Sequence, residues 1–296
     1  MKKCGAAAIG CVIAFAVIVF LRPLAVYDVA THLFLLARGF DSDYVRLGGN
    51  RVHSMIGGDG PPLLLVHGIG SKGEDYALIM PRLAEHHRLY VPDLLGFGRS
   101  DRPDIGYSIA AQAEMLRAYL DAKKIDKADV MAVSMGGWIA LKFAAEHPER
   151  VRRLVLIDSA GFQYATAMNE NSFTPRDRDE LHHLLWLQTD RLSSLPWFIE
   201  RDLLRKNHEH AWILRRAMKS MLSGRDLMDG RVQRVTMPVL LVWGMNDRIV
   251  PLPIGEKMRA ALPDARLVAY SGCGHLAVIE CRNRVLPEVE RFLGGH

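Results

Sequence analysis

Short apolar runs recur along this chain with a helix-length stretch between most of them, and that alternation constrains its fold more than any other feature. Leu63–Val66, Leu89–Val91, Val130–Val133, Leu154–Ile157, Val239–Trp243 and Leu267–Tyr270 are each apolar and too short for helices. They predict strands buried on both faces, because a strand stays apolar at every position only when it is covered from both sides. Residues 108–123 and 135–147 carry helical patterning, the first opened by Ser108 as N-cap and the second stopped before Pro148. Strand, helix and strand in succession give a mostly parallel sheet with helices on both faces. Ahead of the first run, Tyr44–Leu47 and Arg51–Ile56 flank Gly48-Gly49-Asn50 and read as a hairpin. Residues 161–235 break the rhythm, with no convincing strand, and read as a helical cap over the carboxyl edge of the sheet, where open α/β sheets place their ligands. Its Trp186, Trp197, Phe198 and Trp212 read mostly as cap core.

The N-terminus is a separate problem. From Cys4 to Leu21 no residue is charged, with Lys2 and Lys3 before the run and Arg22-Pro23 after it. As a helix this run spans about 27 Å, close to the thickness of a bilayer core. Arg22-Pro23 stands where a signal peptidase would need small residues, so the run reads as an uncleaved transmembrane signal anchor. The cationic flank favours a cytoplasmic N-terminus with the rest of the chain exported, into the periplasm if the source is bacterial. Residues 22–43 read as a stem or an interfacial helix, since Asp28, Thr31 and His32 fall to one side of a mostly apolar stretch. A composition of 49% apolar and 24% charged residues excludes disorder, and a net charge of +5 without a basic run gives no case for a nucleic-acid partner. The four cysteines include no CxxC, so zinc and redox spacings are absent. Cys273 and Cys281 could pair in an exported domain, but the plainer reading is two unpaired thiols.

Three residues carry the chemistry. Ser134 sits where the strand 130–133 turns abruptly into the helix that follows, a junction that needs small neighbours, and Gly136 provides one of them. Ala132 occupies the place of the first glycine in G-x-S-x-G, a departure of one methyl group. Asp247 follows the strand ending at Trp243-Gly244, and His275 follows the strand ending at Tyr270. Serine, acid and histidine each lie just beyond the carboxyl end of a different strand, where a histidine can deprotonate the serine while a carboxylate fixes its tautomer. An oxyanion then needs donors, and the backbone N–H groups of Met135 and Ile69 are placed to supply them. No cofactor is required.

His67-Gly68, the stretch Asp93–Ser100, Ser134-Met135-Gly136-Gly137, Trp243-Gly244 with Asp247, and Gly274-His275 together resemble the α/β-hydrolase superfamily, over residues 44–295. Ala160–Tyr164 opening the cap, Cys273-Gly274-His275 and the N-terminal anchor resemble its membrane-bound monoacylglycerol-lipase-like branch. The resemblance implies an α/β-hydrolase fold and a serine esterase or lipase acting on monoacylglycerols or related single-chain lipid esters. The expected organisation is a cationic flank (1–3), a transmembrane anchor (4–21), a stem (22–43), a hydrolase core in two parts (44–160 and 236–296) and the helical cap (161–235).

Other readings fit fewer residues. A C–C bond hydrolase or cofactor-free perhydrolase would use the same three residues, and a catalytically silent, membrane-tethered binding module would leave the complete set without a purpose. Gly68-x-Gly70-x-x-Gly73 with Asp93 matches a dinucleotide fingerprint in form, but Glu74 and Asp75 would repel a pyrophosphate at the helix start. Asp158 is a second possible acid for the histidine. The pairs His86/His87, His182/His183 and His208/His210 lack metal-ligand spacing.

Overall fold

The computed structural model describes residue 17, residues 19–191 and residues 194–294. Eight strands form one sheet in the order β1-β2-β4-β3-β5-β6-β7-β8. These are β1 (Asp41–Leu47), β2 (Asn50–Gly57), β3 (Pro62–Val66), β4 (Arg88–Pro92), β5 (Ala128–Val133), β6 (Val151–Ile157), β7 (Val239–Gly244) and β8 (Ala265–Tyr270). β1 and β2 pair antiparallel, β2 joins β4 antiparallel, and every later pairing is parallel. The hairpin register pairs Leu47 with Asn50, leaving Gly48-Gly49 as a two-residue turn with φ of +54° and +86°, a conformation open to glycine at low cost.

The apolar runs alternate between two cores. Leu64, Val66, Val130 and Ala132 pack beneath α2 (Ile109–Ala122) and α3 (Met135–Glu146), while Leu63, Leu65, Met131 and Val133 face the C-terminal helix Arg282–Leu293. All six residues of β5 are buried, as a central parallel strand requires. Ser108 caps α2 by accepting a hydrogen bond from the Ala111 N–H at 3.1 Å, a contact worth about 1 kcal/mol. Between β6 and β7 the described residues form α4 (Arg178–Gln188) and α5 (Trp197–Leu222) and no strand. The aromatic residues of this insertion correct the sequence reading. Trp186, Trp197 and Trp212 are exposed instead of forming its core, and their rings lie against Arg248, Arg201 and Arg216. Phe173, Leu184, Leu214 and Met218 fill the interior instead.

Most of the anchor expected at residues 4–21 lies outside the described residues. Among the described residues no helix is long and apolar enough to cross a membrane. The stretch expected as stem contains α1 (Pro23–Ala37), which packs on α5 and β1. Its polar residues turn inward: Asp28 pairs with Lys72 and Lys206, His32 with Glu74, and Thr31 is buried. Tyr27, Val29, Leu33 and Leu36 face outward and are exposed. Phe20, just ahead of α1, packs its ring edge against Trp197 with centroids 5.1 Å apart.

Candidate active site

Ser134 lies between β5 and α3 with φ 56° and ψ −121°, a strained backbone for a residue with a side chain. The neighbourhood enforces it. The Ser134 N–H donates to the Ile157 carbonyl at 3.0 Å, and its own carbonyl accepts from the N–H groups of Trp138 and Ala160. A Cβ at Gly136 would be driven into the carbonyl oxygens of Val66 and His67, so the first turn of α3 approaches β3 only because that position is glycine. Ala132 fits without disturbance, its methyl buried in a strand paired to β3 and β6.

His275 and Asp247 reach the same point from the loops after β8 and β7. His275 Nε2 lies 2.7 Å from Ser134 Oγ, and Nδ1 lies 2.8 Å from Asp247 Oδ2. The other Asp247 oxygen accepts from the N–H groups of Ile249 and Val250 at 2.8 and 2.9 Å, which fixes the carboxylate edge that faces the imidazole. All three side chains are buried. Burial disfavours the imidazolium, but the charge and hydrogen bond of Asp247, with Asp158 behind it, outweigh burial and raise the His275 pKa above its ordinary 6.5. A protonated His275 cannot accept the serine proton, so the acid limb of kcat/KM is expected above pH 6.5, and a pH–rate series on the full chain measures it.

Met135 follows Ser134 at the start of α3, and Ile69 lines the same cavity as Ser134. Neither backbone N–H has an intramolecular acceptor among the described residues. A Cβ at Gly68 would come within 3.2 Å of Ser134 Cβ, so the loop after β3 passes in contact with the serine. Two free donors bordering one hydroxyl can receive an oxyanion formed there. On the same side a cavity of about 360 Å³ opens, lined by Ser134, Trp138, Phe162, Phe173, Met218 and Leu227 among others, and by no charged residue.

Asp158 has a part that the sequence reading did not foresee. It does not bond His275. Its Oδ1 accepts from the Gly244 N–H at 2.7 Å and its Oδ2 from the Ala277 N–H at 3.0 Å, tying the end of β7 to the segment just after His275. Burial first, then the neighbouring Asp247, holds its pKa well above the usual carboxylate value. Cys273 and Cys281 are another correction. They form a disulfide with Cα atoms 6.1 Å apart, closing the loop that carries His275. Both are buried in the second core, which brings them to bonding distance.

A second serine–histidine–aspartate set occurs at the antiparallel edge: Ser42 Oγ lies 3.0 Å from His53 Nε2, and His53 Nδ1 lies 2.8 Å from Asp93 Oδ2. Ser42 lies in the regular strand β1, without the strand-to-helix turn that sets Ser134 at a helix start. Asp93 instead accepts from the N–H groups of Gly73 and Arg99, locking the loops after β3 and β4. This accounts for the fingerprint-like glycines, and Glu74 is buried against Lys72, Arg99 and His32 where a pyrophosphate would have to lie.

Residues 61–184 and 180–280 match a family model described as the alpha/beta hydrolase fold. A 2-hydroxymuconate semialdehyde hydrolase of Pseudomonas putida is 33% identical over 259 residues, covering 83% of this chain and 91% of its own. Lipase 3 of a Moraxella species is 25% identical over 249 residues, covering 80% and 78%. A crystal structure of a membrane phospholipase A, described as a bacterial virulence factor, superposes with a TM-score of 0.85 at 25% identity over 100% of this chain and 99% of that one.

Proposed function

This chain belongs to the alpha/beta hydrolase fold family, and from its site we propose that it hydrolyses carboxylic esters of single-chain lipids, with monoacylglycerols as the representative substrate. The observation that carries the reading is the uncharged cavity beside Ser134, whose apolar walls suit an acyl chain. In this mechanism Ser134 Oγ attacks the ester carbonyl while His275 Nε2 takes its proton, and Asp247 stabilises the imidazolium. The Ile69 and Met135 N–H groups receive the oxyanion. Collapse expels the alcohol, which takes the proton from His275. A water then attacks the acyl-enzyme by the same route and releases the fatty acid.

The lipase and phospholipase relatives support an ester substrate. The Pseudomonas putida relative favours C–C bond hydrolysis as a second reading. Against it, a muconate carries a carboxylate, and no cation lines the cavity to receive one. Membrane residence belongs to this reading: α1 exposes Tyr27, Val29, Leu33 and Leu36, and the charge-free run of residues 4–21 precedes it in the sequence, features suited to a helix lying at a lipid surface. The test is a hydrolysis profile of the full chain over p-nitrophenyl esters and monoacylglycerols of increasing acyl length, run beside a vinylogous diketone. Ester turnover with a chain-length optimum is expected. Cleavage of the diketone alone would replace the ester reading with the C–C one.

A further inference from the structure

We propose that a second cavity, between α1, the loop 96–102 and α5, is an anion site that receives the phosphate of a lipid headgroup. It rests on the ester-hydrolase reading above and extends that substrate class from neutral glycerides to phosphate-bearing lipid esters. The cavity measures about 610 Å³ and is separate from the acyl cavity. Its walls carry four cations, Lys72, Arg99, Arg102 and Lys206, and two carboxylates, Asp28 and Asp75.

The carboxylates are already engaged. Asp28 bridges Lys72 and Lys206 at 2.7 and 3.0 Å, and Asp75 accepts from Ser71 Oγ and the Lys72 N–H. The guanidinium groups are engaged only in part. Among the described residues Arg99 donates only its Nε–H, to the buried Glu74 at 3.2 Å, and Arg102 only to the backbone carbonyls of Gly98 and Ser100. Among the described residues Arg102 pairs with no carboxylate, and Arg99 keeps the outer edge of its fork open at 37% exposure. Two planar forks with free N–H groups, flanked by the half-exposed Lys206 ammonium, are the donor set that phosphate oxygens accept from in paired geometry.

Position joins this cavity to the chemistry. Helix α5 lines both cavities, with Lys206, His210 and Ile213 on the cationic one and Met218, Met221 and Leu222 on the apolar one. The oxyanion loop is shared in the same way, Ile69 facing the acyl cavity and its neighbour Gly70 the cationic one. An ester carbonyl at Ser134 with its chain in the apolar cavity therefore directs its headgroup toward Arg99 and Arg102. The outer wall is α1, whose exposed Tyr27 and Val29 line the cavity as well, so it opens beside the apolar surface of that helix.

The test uses full-length Ser134→Ala protein, which leaves lipid uncleaved, in uncharged detergent micelles. Phosphorus NMR line widths of lysophosphatidylglycerol and, separately, of inorganic phosphate report binding, and Arg102→Gln and Lys206→Gln, alone and together, are expected to weaken it about tenfold per site. Arg102→Lys keeps the charge without the fork and is expected to restore part of it. Broadening of both ligands that the variants remove assigns a general phosphate site, and broadening of the lipid alone assigns a headgroup site; either supports the proposal. Binding of neither, or binding that the variants leave unchanged, overturns it. With Ser134 intact, the kcat/KM ratio of the phospholipid to the monoacylglycerol of equal chain length is expected to fall in the double variant. Loss of all ester turnover with phosphate binding retained would instead fault the hydrolase reading.

Discussion

Ser134→Ala is expected to lower kcat for an ester by about a million-fold and to abolish covalent labelling by a fluorophosphonate probe. The size follows from what the hydroxyl does: without it there is no acyl-enzyme, and only binding and oxyanion stabilisation remain to accelerate attack by water. The backbone should survive the change, because the φ of 56° is imposed by hydrogen bonds to Ile157, Trp138 and Ala160 and not by the side chain. Intact mass after probe treatment separates chemistry from folding. A label that persists, on Ser42 for instance, would sink the assignment of Ser134 as nucleophile, since Ser42 already has a histidine and an aspartate in line. The contrast between the two sets shows what geometry alone leaves out. Ser134 adds a strained turn, a helix start and two free N–H donors nearby, whereas Ser42 lies flat in an edge strand.

Much of this was legible in the sequence because the signals are local. A continuous apolar run such as Leu63–Val66 has little choice but a buried strand, and Ser108 before a helical pattern announces its cap. The serine turn was readable even with Ala132 in place of glycine, since the close approach that matters is at Gly136. What the sequence hid depends on contacts between distant segments. The pairing of Cys273 with Cys281 follows from a core that the pattern of apolar residues does not locate, and the exposed Trp186, Trp197 and Trp212 are tolerable only because arginines stack on them. The inward turn of Asp28 and His32 on α1 was likewise invisible without Lys72 and Glu74, some 40 residues away, to meet them.

The two buried aspartates near His275 should respond to the same substitution in different ways. Asp247→Asn is expected to cut kcat by about ten-thousand-fold with little loss of stability. Its Oδ1 would still accept from Ile249 and Val250, but its amide would now face His275 Nδ1, force the proton onto Nε2, and leave no acceptor for the serine proton. Asp158→Asn should behave otherwise, because that carboxylate bonds two backbone N–H groups and not the imidazole. Whichever way the new amide points, its NH2 confronts the N–H of Gly244 or Ala277, leaving a buried donor unsatisfied at a cost of about 1–3 kcal/mol in thermal or denaturant unfolding. The activity effect has a sign of its own. In its ionised form Asp158 adds to the charge that raises the His275 pKa, so removing it lets burial weigh more heavily and moves the acid limb of kcat/KM to lower pH. A profile whose acid limb stays in place while stability falls would reduce Asp158 to a purely structural tie between the loops. A ten-thousand-fold loss in Asp158→Asn with Asp247→Asn left active would exchange their roles.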